Sequence, residues 1–152
     1  MFGSLYKKKN NIEINIETTT PESNFTTIGF PNDFKQVILN LINNSRDAIV
    51  SRVESSGKKF TGDINIELSH SYNKIYVTIR DNGGGIPEAV IDKIYEPYVS
   101  TKSEEKGTGL GLYMSKTIIE TNMGGSLTVK NVDDGAEFLI RLDGIGDGNR
   151  IS

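Results

Sequence analysis

Residues 81–87 read DNGGGIP and residues 107–113 read GTGLGLY. An asparagine-rich segment, NLINN at residues 40–44, precedes both glycine runs. Each of these segments is a weak signal when it is taken alone. In this order they predict a nucleotide pocket, and the elements around them indicate the fold that holds it.

The first glycine run places an acid beside unusually open backbone. Asp81 ends a predicted strand and is followed after one residue by three glycines. Because glycine lacks a Cβ and tolerates positive φ, its backbone can approach a flat ligand closely. A carboxylate can accept a hydrogen bond from an exocyclic amine such as that of adenine. A simple Asn-Gly turn is the alternative, but it does not need three glycines.

The second glycine run matches neither of the two common phosphate motifs. It is not a P-loop, because no Lys-Ser/Thr pair follows it. The dinucleotide fingerprint needs glycine where Leu112 stands, and it needs a preceding strand. The run does precede a predicted helix, whose free amides can bind an anion, and Thr108 can add a hydroxyl. Phosphate binding is therefore favoured over a flexible hinge into the helix.

Polar side chains form a stripe on the predicted helix at residues 33–52. Asn40, Asn44 and Asp47 fall at i, i+4 and i+7, beside the apolar stripe that faces the core. Oxygen ligands suit Mg²⁺, which usually keeps several waters and phosphate oxygens in its shell. Asn44 can supply a carbonyl oxygen without adding charge. A solvated helix face is the alternative, and the neighbouring glycine runs disfavour it.

Hydrophobic periodicity predicts an α+β two-layer sandwich, with a mixed, mostly antiparallel sheet and three main helices on one face. Residues 1–10 are expected to be a lead-in, residues 11–142 the domain and residues 143–152 a tail. Predicted strands lie at residues 11–19, 24–30, 63–70, 74–81, 126–132 and 136–142, and predicted helices at residues 33–52, 88–95 and 110–121.

Composition excludes several classes of function. The chain has 152 residues, which suits one domain, and its net charge of -3 disfavours a nucleic-acid partner. The absence of cysteine excludes disulfides, thiol catalysis and cysteine-based zinc sites. No stretch approaches the roughly 18 apolar residues of a membrane span, and no signal peptide is visible. We expect a cytoplasmic domain without membrane contact, and any anchor of the parent protein in the inner membrane to lie outside this chain.

The motifs together closely resemble the ATP-binding domain of the GHKL superfamily, specifically the catalytic domain of sensor histidine kinases. QVILNLINNSRDA (residues 36–48) resembles the N box, DNGGGIP the first glycine box, YEPYVSTK (residues 95–102) the F box, and GTGLGLYMSK (residues 107–116) the second glycine box. The resemblance covers roughly residues 10–142. It implies the Bergerat ATP-binding fold, with ATP and Mg²⁺ as cofactors.

The resemblance also implies a role for each matching residue. Asn44 would coordinate Mg²⁺, Asn40 would help to position the metal and its waters, and Asp81 would bind the adenine amino group with Gly85. Residues 99–108 would form the ATP lid. The remaining nucleotide contacts implied are Asp47, Gly83, Ile86, Tyr98, Thr101, Lys102, Gly107, Thr108, Gly109, Leu110, Gly111 and Leu112, of which Gly107, Gly109, Leu110 and Gly111 would hold phosphates.

Three departures from the family pattern bear on the chemistry. Tyr95 and Tyr98 replace the phenylalanines that are common in the F box, which is a conservative change. Asp47 stands where many kinases have a lysine phosphate contact, so that charge must be met elsewhere, with Arg46 as one candidate. The hydrolysing branches, such as gyrase, carry a glutamate base where this chain has Asn40. A carboxamide cannot take that proton, which favours transfer to a protein nucleophile over hydrolysis.

The chain offers no suitable phosphoacceptor. His70 is its only histidine, and it lies at a predicted strand end without the helical His-Glu or His-Asp context. The resemblance therefore implies a partner dimerisation domain outside this chain, a response regulator receiver domain and a homodimeric parent protein. Two alternatives stay open: a stand-alone serine kinase of the anti-sigma type, and a non-catalytic adenine-nucleotide-binding module.

Overall fold

The protein is represented by a computed structural model that describes residues 12–19, 27, 29–57, 59–97 and 111–144. The strands are β1 (Ile12–Thr18), β2 (Gly62–Ser71), β3 (Lys74–Asp81), β4 (Ser126–Val132) and β5 (Gly135–Asp143). The helices are α1 (Pro31–Ser56), α2 (Glu88–Ile91) and α3 (Gly111–Thr117), and α3 continues as a π-helical turn over Ile118–Asn122.

The described strands form one sheet in the order β1-β2-β3-β5-β4. β1 pairs with β2 in parallel, and the other three pairings are antiparallel. The β2–β3 hairpin turns through Tyr72 and Asn73, whose φ angles of 51° and 61° are those that a tight two-residue hairpin requires. The predicted mixed, mostly antiparallel sheet is confirmed, and β1 and β4 are its edge strands.

Alternation along the strands places one face of the sheet in the core. The other face is polar, as shown by the Arg80–Glu137 ion pair across β3 and β5. α1 packs against the apolar face, because its apolar positions recur at helical spacing. The side chains that are fully buried include Ile12, Leu41, Ile49, Ile64, Ile79, Ile119, Leu127, Ile140 and Val37.

The first helix is longer than the periodicity predicts. It begins at Pro31, where proline suits the first turn, and it ends at Ser56 rather than near residue 52. Gly57 terminates it in the left-handed conformation, with φ of 68° and its N–H donating to the Val53 carbonyl. The serines that suggested a loop instead occupy the exposed last turn.

Other boundaries differ in smaller ways. Within the predicted strand at residues 24–30, the described residues Thr27, Gly29 and Phe30 are not in a strand, and the others lie outside the described residues. α2 ends at Ile91 instead of residue 95, and turns replace its second half. In α3 the last turn widens, because the Met123 N–H donates to the Ile118 carbonyl.

The position of His70 and the character of the helices bear on two expectations from the sequence. His70 lies in β2 opposite Ile75, so it is in a strand and not on a helix that could present it as a phosphoacceptor. None of the helices in the described part of the chain combines the length and apolar character that a membrane span requires.

Candidate nucleotide-binding site

Asp81 is a buried carboxyl at the end of β3, with only 5% of its surface exposed. Its Oδ1 accepts hydrogen bonds from the Gly83 N–H at 2.9 Å and, more weakly, from the Ala136 N–H at 3.4 Å. Burial raises the pKa of Asp81 above its ordinary value of 3.8, and these donors act in the opposite direction. Both of these backbone bonds go to Oδ1.

A hydroxyl on α1 faces the same carboxyl. Ser45 is 1% exposed and lowers the pKa of Asp81, although within the described residues its Oγ has no hydrogen bond of standard geometry. The Ser45 hydroxyl is therefore a polar neighbour of the Asp81 carboxyl. It places α1 directly over Asp81.

Close packing and positive φ explain the glycines that follow Asp81. A Cβ at Gly83 would lie 2.7 Å from the Ala48 Cβ of α1, so only glycine allows the two segments to approach this closely. Gly84 and Gly85 have φ angles of 96° and 84°, which L side chains rarely adopt. The glycines beside Asp81 thus serve close packing and positive φ, and their contact with a ligand stays a prediction.

Asn40 connects α1 to the end of the second glycine run. Its Nδ2 donates to the Gly111 carbonyl at 2.8 Å and to the Ser115 Oγ at 3.0 Å. A Cβ at Gly111 would lie 3.0 Å from the Asn40 Oδ1, so glycine permits the approach. This bond joins residues that are 71 positions apart in the sequence. It brings together the asparagine stripe and the end of the second glycine run, which were predicted to form one site.

The rest of the asparagine stripe lies half-buried on the next turns of α1. Asn44 and Asp47 are both partly exposed, and the Asp47 Oδ1 accepts from the Arg46 Nη2 at 2.9 Å. Arg46, the candidate phosphate contact, is thus paired with its neighbour in this structure. Among the described residues no three His, Cys, Asp or Glu side chains cluster to hold a metal. A carboxamide oxygen such as that of Asn44 is a type of ligand that Mg²⁺ accepts when phosphates and waters complete its shell.

The remaining predicted contacts divide into two groups. Ile86 and Leu112 are half-buried and pack against the hydrophobic core. The others lie outside the described residues: Tyr98, Thr101, Lys102, Gly107, Thr108, Gly109 and Leu110.

The sequence did not predict the residues that hold the backbone of the first glycine box in place. Asn131 of β4 makes two hydrogen bonds to the backbone of Ile86. Arg52 of α1 donates to the Asn82 carbonyl at 2.7 Å. A Cβ at Gly135 would lie 1.7 Å from the Asp81 carbonyl oxygen, so only glycine fits there. The signal for Gly135 was visible in the segment DDG, but it indicated only a turn.

A surface cavity of about 470 Å³ lies elsewhere, between α2 and the edge strand β4. Tyr95 and Lys116 contribute to its wall, with the Lys116 Nζ 4.6 Å from the centre of the Tyr95 ring. Neither Asp81 nor Asn44 lines this cavity. The geometry of Asp81 and its glycines, rather than the volume of this cavity, identifies the candidate site.

A mixed α+β sandwich with a buried strand-end carboxyl, adjacent glycines and an asparagine-bearing helix is the arrangement that the sequence motifs predict for an ATP-binding domain. The chain belongs to the family of histidine kinase-, DNA gyrase B- and HSP90-like ATPases, whose model matches residues 29–144. The predicted membership of the GHKL superfamily is confirmed.

Individual relatives narrow the resemblance to histidine kinases. The chain is 36% identical over 131 residues to the two-component sensor PprA of Pseudomonas aeruginosa, which covers 85% of this chain and 14% of PprA. The catalytic domain of histidine kinase ThkA superposes with a TM-score of 0.76 at 29% identity, covering 93% of this chain and 85% of that chain. ThkA in complex with the response regulator TrrA matches with a TM-score of 0.66 at 27% identity, covering 93% and 37%. The predicted histidine-kinase type of catalytic domain is thus confirmed, and the two alternatives are not favoured.

Proposed function

We propose that this chain binds ATP with Mg²⁺ and transfers the γ-phosphoryl group to a histidine on a dimerisation domain outside the chain. The observation that carries the proposal is the buried Asp81 carboxyl, which faces glycine backbone on one side and α1 on the other. Since the chain spans 14% of PprA, the activity and partners of a whole protein belong to this proposal.

The adenine end is formed by Asp81 and the first glycine box. The carboxylate accepts a hydrogen bond from the exocyclic amine, and a buried charge-assisted bond of this kind is stronger than a neutral one. Gly85 is proposed to present its backbone to the ring, in a conformation with φ of 84° that L side chains rarely adopt. Gly83 and Ile86, in the same segment, are proposed as further contacts of the nucleotide.

The phosphate end is formed by α1 and the start of α3. Asn44 would hold Mg²⁺ through its carbonyl oxygen, and the ion would supply neutralisation of phosphate charge. Gly111 and Leu112 open α3, at the end of the run in which Gly107, Thr108, Gly109 and Leu110 are proposed to contact phosphates. Tyr98, Thr101 and Lys102 are proposed to approach from the lid segment, and Asp47 is proposed to lie at the rim.

Position 40 supports phosphoryl transfer rather than hydrolysis. Asn40 uses its amide as a donor to the Gly111 carbonyl and the Ser115 hydroxyl. A glutamate could donate neither bond when ionised, and Asn40 cannot act as a base toward water. This favours a protein nucleophile over water, and the likeness to histidine kinases supports a histidine nitrogen as the proposed acceptor. In that transfer a P–N bond forms, the bond from the γ-phosphorus to the β-phosphate oxygen breaks, ADP leaves and the imidazole releases its proton.

The partners follow from the same assignment. We propose that the phosphoryl group passes onward to a response regulator receiver domain, as the solved complex of ThkA with TrrA suggests by likeness. The parent protein is proposed to be a homodimer, because the acceptor belongs to a dimerisation domain. A cytoplasmic location of this domain is likewise proposed, since ATP is the cofactor.

Radiolabel transfer tests this function directly. The chain is incubated with [γ-³²P]ATP, Mg²⁺ and the dimerisation domain of its parent protein, with a His→Gln variant of that domain as control. We expect an acid-labile, base-stable label on the partner and none on the control. Acid-stable label would indicate a serine kinase, and free phosphate without labelled protein would indicate an ATPase. Either result would overturn the proposal.

A further inference from the structure

The glycine box needs support that its own residues cannot supply. Gly84 and Gly85 both have positive φ, and glycine loses more conformational freedom on ordering than any other residue. A segment of this kind keeps one shape only when neighbouring groups fix its peptide planes. In this fold the neighbours are α1 and the β4–β5 hairpin.

Asn131 fixes the far end of the box. Its Oδ1 accepts from the Ile86 N–H at 2.7 Å, and its Nδ2 donates to the Ile86 carbonyl at 2.8 Å, across 45 residues of sequence. Two bonds from one planar amide to one residue set both the position and the rotation of the main chain there. The Asn131 Oδ1 also lies where it would meet a Cβ at Gly85, at 3.0 Å.

The middle of the box is held by the same hairpin. The Asp134 carbonyl accepts from the Gly84 N–H at 2.8 Å. Arg52 joins this point to α1, because its Nη1 donates to the Asn82 carbonyl at 2.7 Å and its Nη2 lies 3.2 Å from the Asp134 Oδ1. The hairpin therefore contacts the box at Gly84 and at Ile86, on either side of Gly85.

We propose that Asn131 is a positioning residue for base recognition: by fixing the Ile86 backbone, it aligns Gly85 and Asp81 with the adenine ring. The proposal rests on the proposed function, because it concerns the adenine end of that site. Asn131 acts through Ile86 and has no part in the chemistry at the phosphates. Its loss should therefore change which base is bound, and not only how stable the domain is.

The test compares two nucleotides that differ at the group Asp81 recognises. ATP carries an amine at C6 of the base, whereas ITP carries a carbonyl there. Dissociation constants for both are measured by titration calorimetry for the wild type, Asn131→Ala and Asn131→Asp. Asn131→Asp keeps the acceptor for the Ile86 N–H and loses the donor. Asn65→Ala is the matched control, since it removes an exposed strand amide whose hydrogen bond within the described residues joins it to Asn15.

We expect Asn131→Ala to weaken ATP binding on the order of tenfold, because two backbone bonds are lost. The preference for ATP over ITP should fall with it, Asn131→Asp should lie between, and Asn65→Ala should match the wild type. Equal weakening of ATP and ITP, or a wild-type preference in Asn131→Ala, overturns the positioning role.

A double-mutant cycle with Asp81→Asn separates this proposal from the function beneath it. If Asn131 acts by aligning Asp81, combining Asn131→Ala with Asp81→Asn should weaken ATP binding by less than the product of the single effects. Weak binding in Asp81→Asn with full additivity overturns the role of Asn131 and leaves the site intact. Wild-type binding in Asp81→Asn overturns the nucleotide site itself, and the positioning role with it.

Discussion

Replacing Asp81 with asparagine separates binding from stability at a single position. The two side chains have nearly the same shape, so the asparagine Oδ1 can still accept from the Gly83 N–H, which lies 2.9 Å from the native oxygen. The other oxygen becomes an amide nitrogen, which faces the adenine amine as a second donor. One charge-assisted hydrogen bond is lost, at about 1.5–3 kcal/mol, so the Kd for ATP should rise about 10- to 200-fold.

Stability should move in the opposite direction. Burial raises the pKa of Asp81, so the folded state binds the proton more tightly than the unfolded chain does. The contribution of Asp81 to the free energy of unfolding is therefore fully present below pH 3.8, and it is lost as the pH rises through the pKa of the folded state. Asparagine never ionises. At neutral pH Asp81→Asn should be at least as stable as the wild type.

The assay pairs titration calorimetry with Mg²⁺-ATP at pH 7.5 and thermal unfolding without nucleotide. Asn65→Ala serves again as the control, because its side chain lies on the outer face of the sheet. An unchanged Kd in Asp81→Asn would refute the site. Weaker binding together with a lower melting temperature would refute the argument that burial of this charge destabilises the fold.

Three further substitutions test the surroundings of the site. Asn40→Asp places an anion against the Gly111 carbonyl, 2.8 Å from the native nitrogen, and should destabilise the domain by about 1–3 kcal/mol in urea unfolding; wild-type stability would contradict the assigned bond. Tyr95→Phe removes a buried hydroxyl that has no hydrogen bond in the described part of the chain, so stability should hold or rise by up to about 1 kcal/mol; a clear loss would reveal a missing partner. Gly135→Ala puts a Cβ 1.7 Å from the Asp81 carbonyl oxygen and should weaken both folding, by about 1–3 kcal/mol, and ATP binding; unchanged ATP affinity would show that the hairpin does not position Asp81.

Local patterns were sufficient for most of the fold. Alternation located β2 to β5 to within about two residues, because one face of each strand is buried. The parallel pairing of β1 with β2 could not be predicted from the sequence, because it joins residues as distant as Ile12 and Gly62. It depends on how α1, which connects the two strands in the chain, packs against the sheet. The end of α1 was missed because residues 54–57, three polar or charged residues and a glycine, resemble a loop. The three polar or charged residues instead occupy a solvated helical turn.

The residues of the site likewise divide into those that a local sequence pattern predicts and those that depend on distant contacts. Asp81, Gly83 and Gly85 could be identified because their chemistry is contained in one short segment. Arg52 and Asn131 could not, because each becomes meaningful only through a backbone group 30 or 45 residues away. A polar side chain on an edge strand gives no local sign that its amide is bonded to the backbone between β3 and α2.

The contrast between Asp81 and Asn131 indicates how the adenine end is organised. Asp81 is largely removed from water by folding, since only 5% of its surface is exposed, so most of the cost of desolvating the acceptor precedes binding. That arrangement is useful only if the carboxyl and the glycine backbone keep one relative geometry. Asn131 supplies this through the two bonds to Ile86. Replacing the Asp81 carboxylate should therefore weaken ATP binding without lowering the stability of the domain. Removing the Asn131 amide should impair recognition of the base without raising that stability.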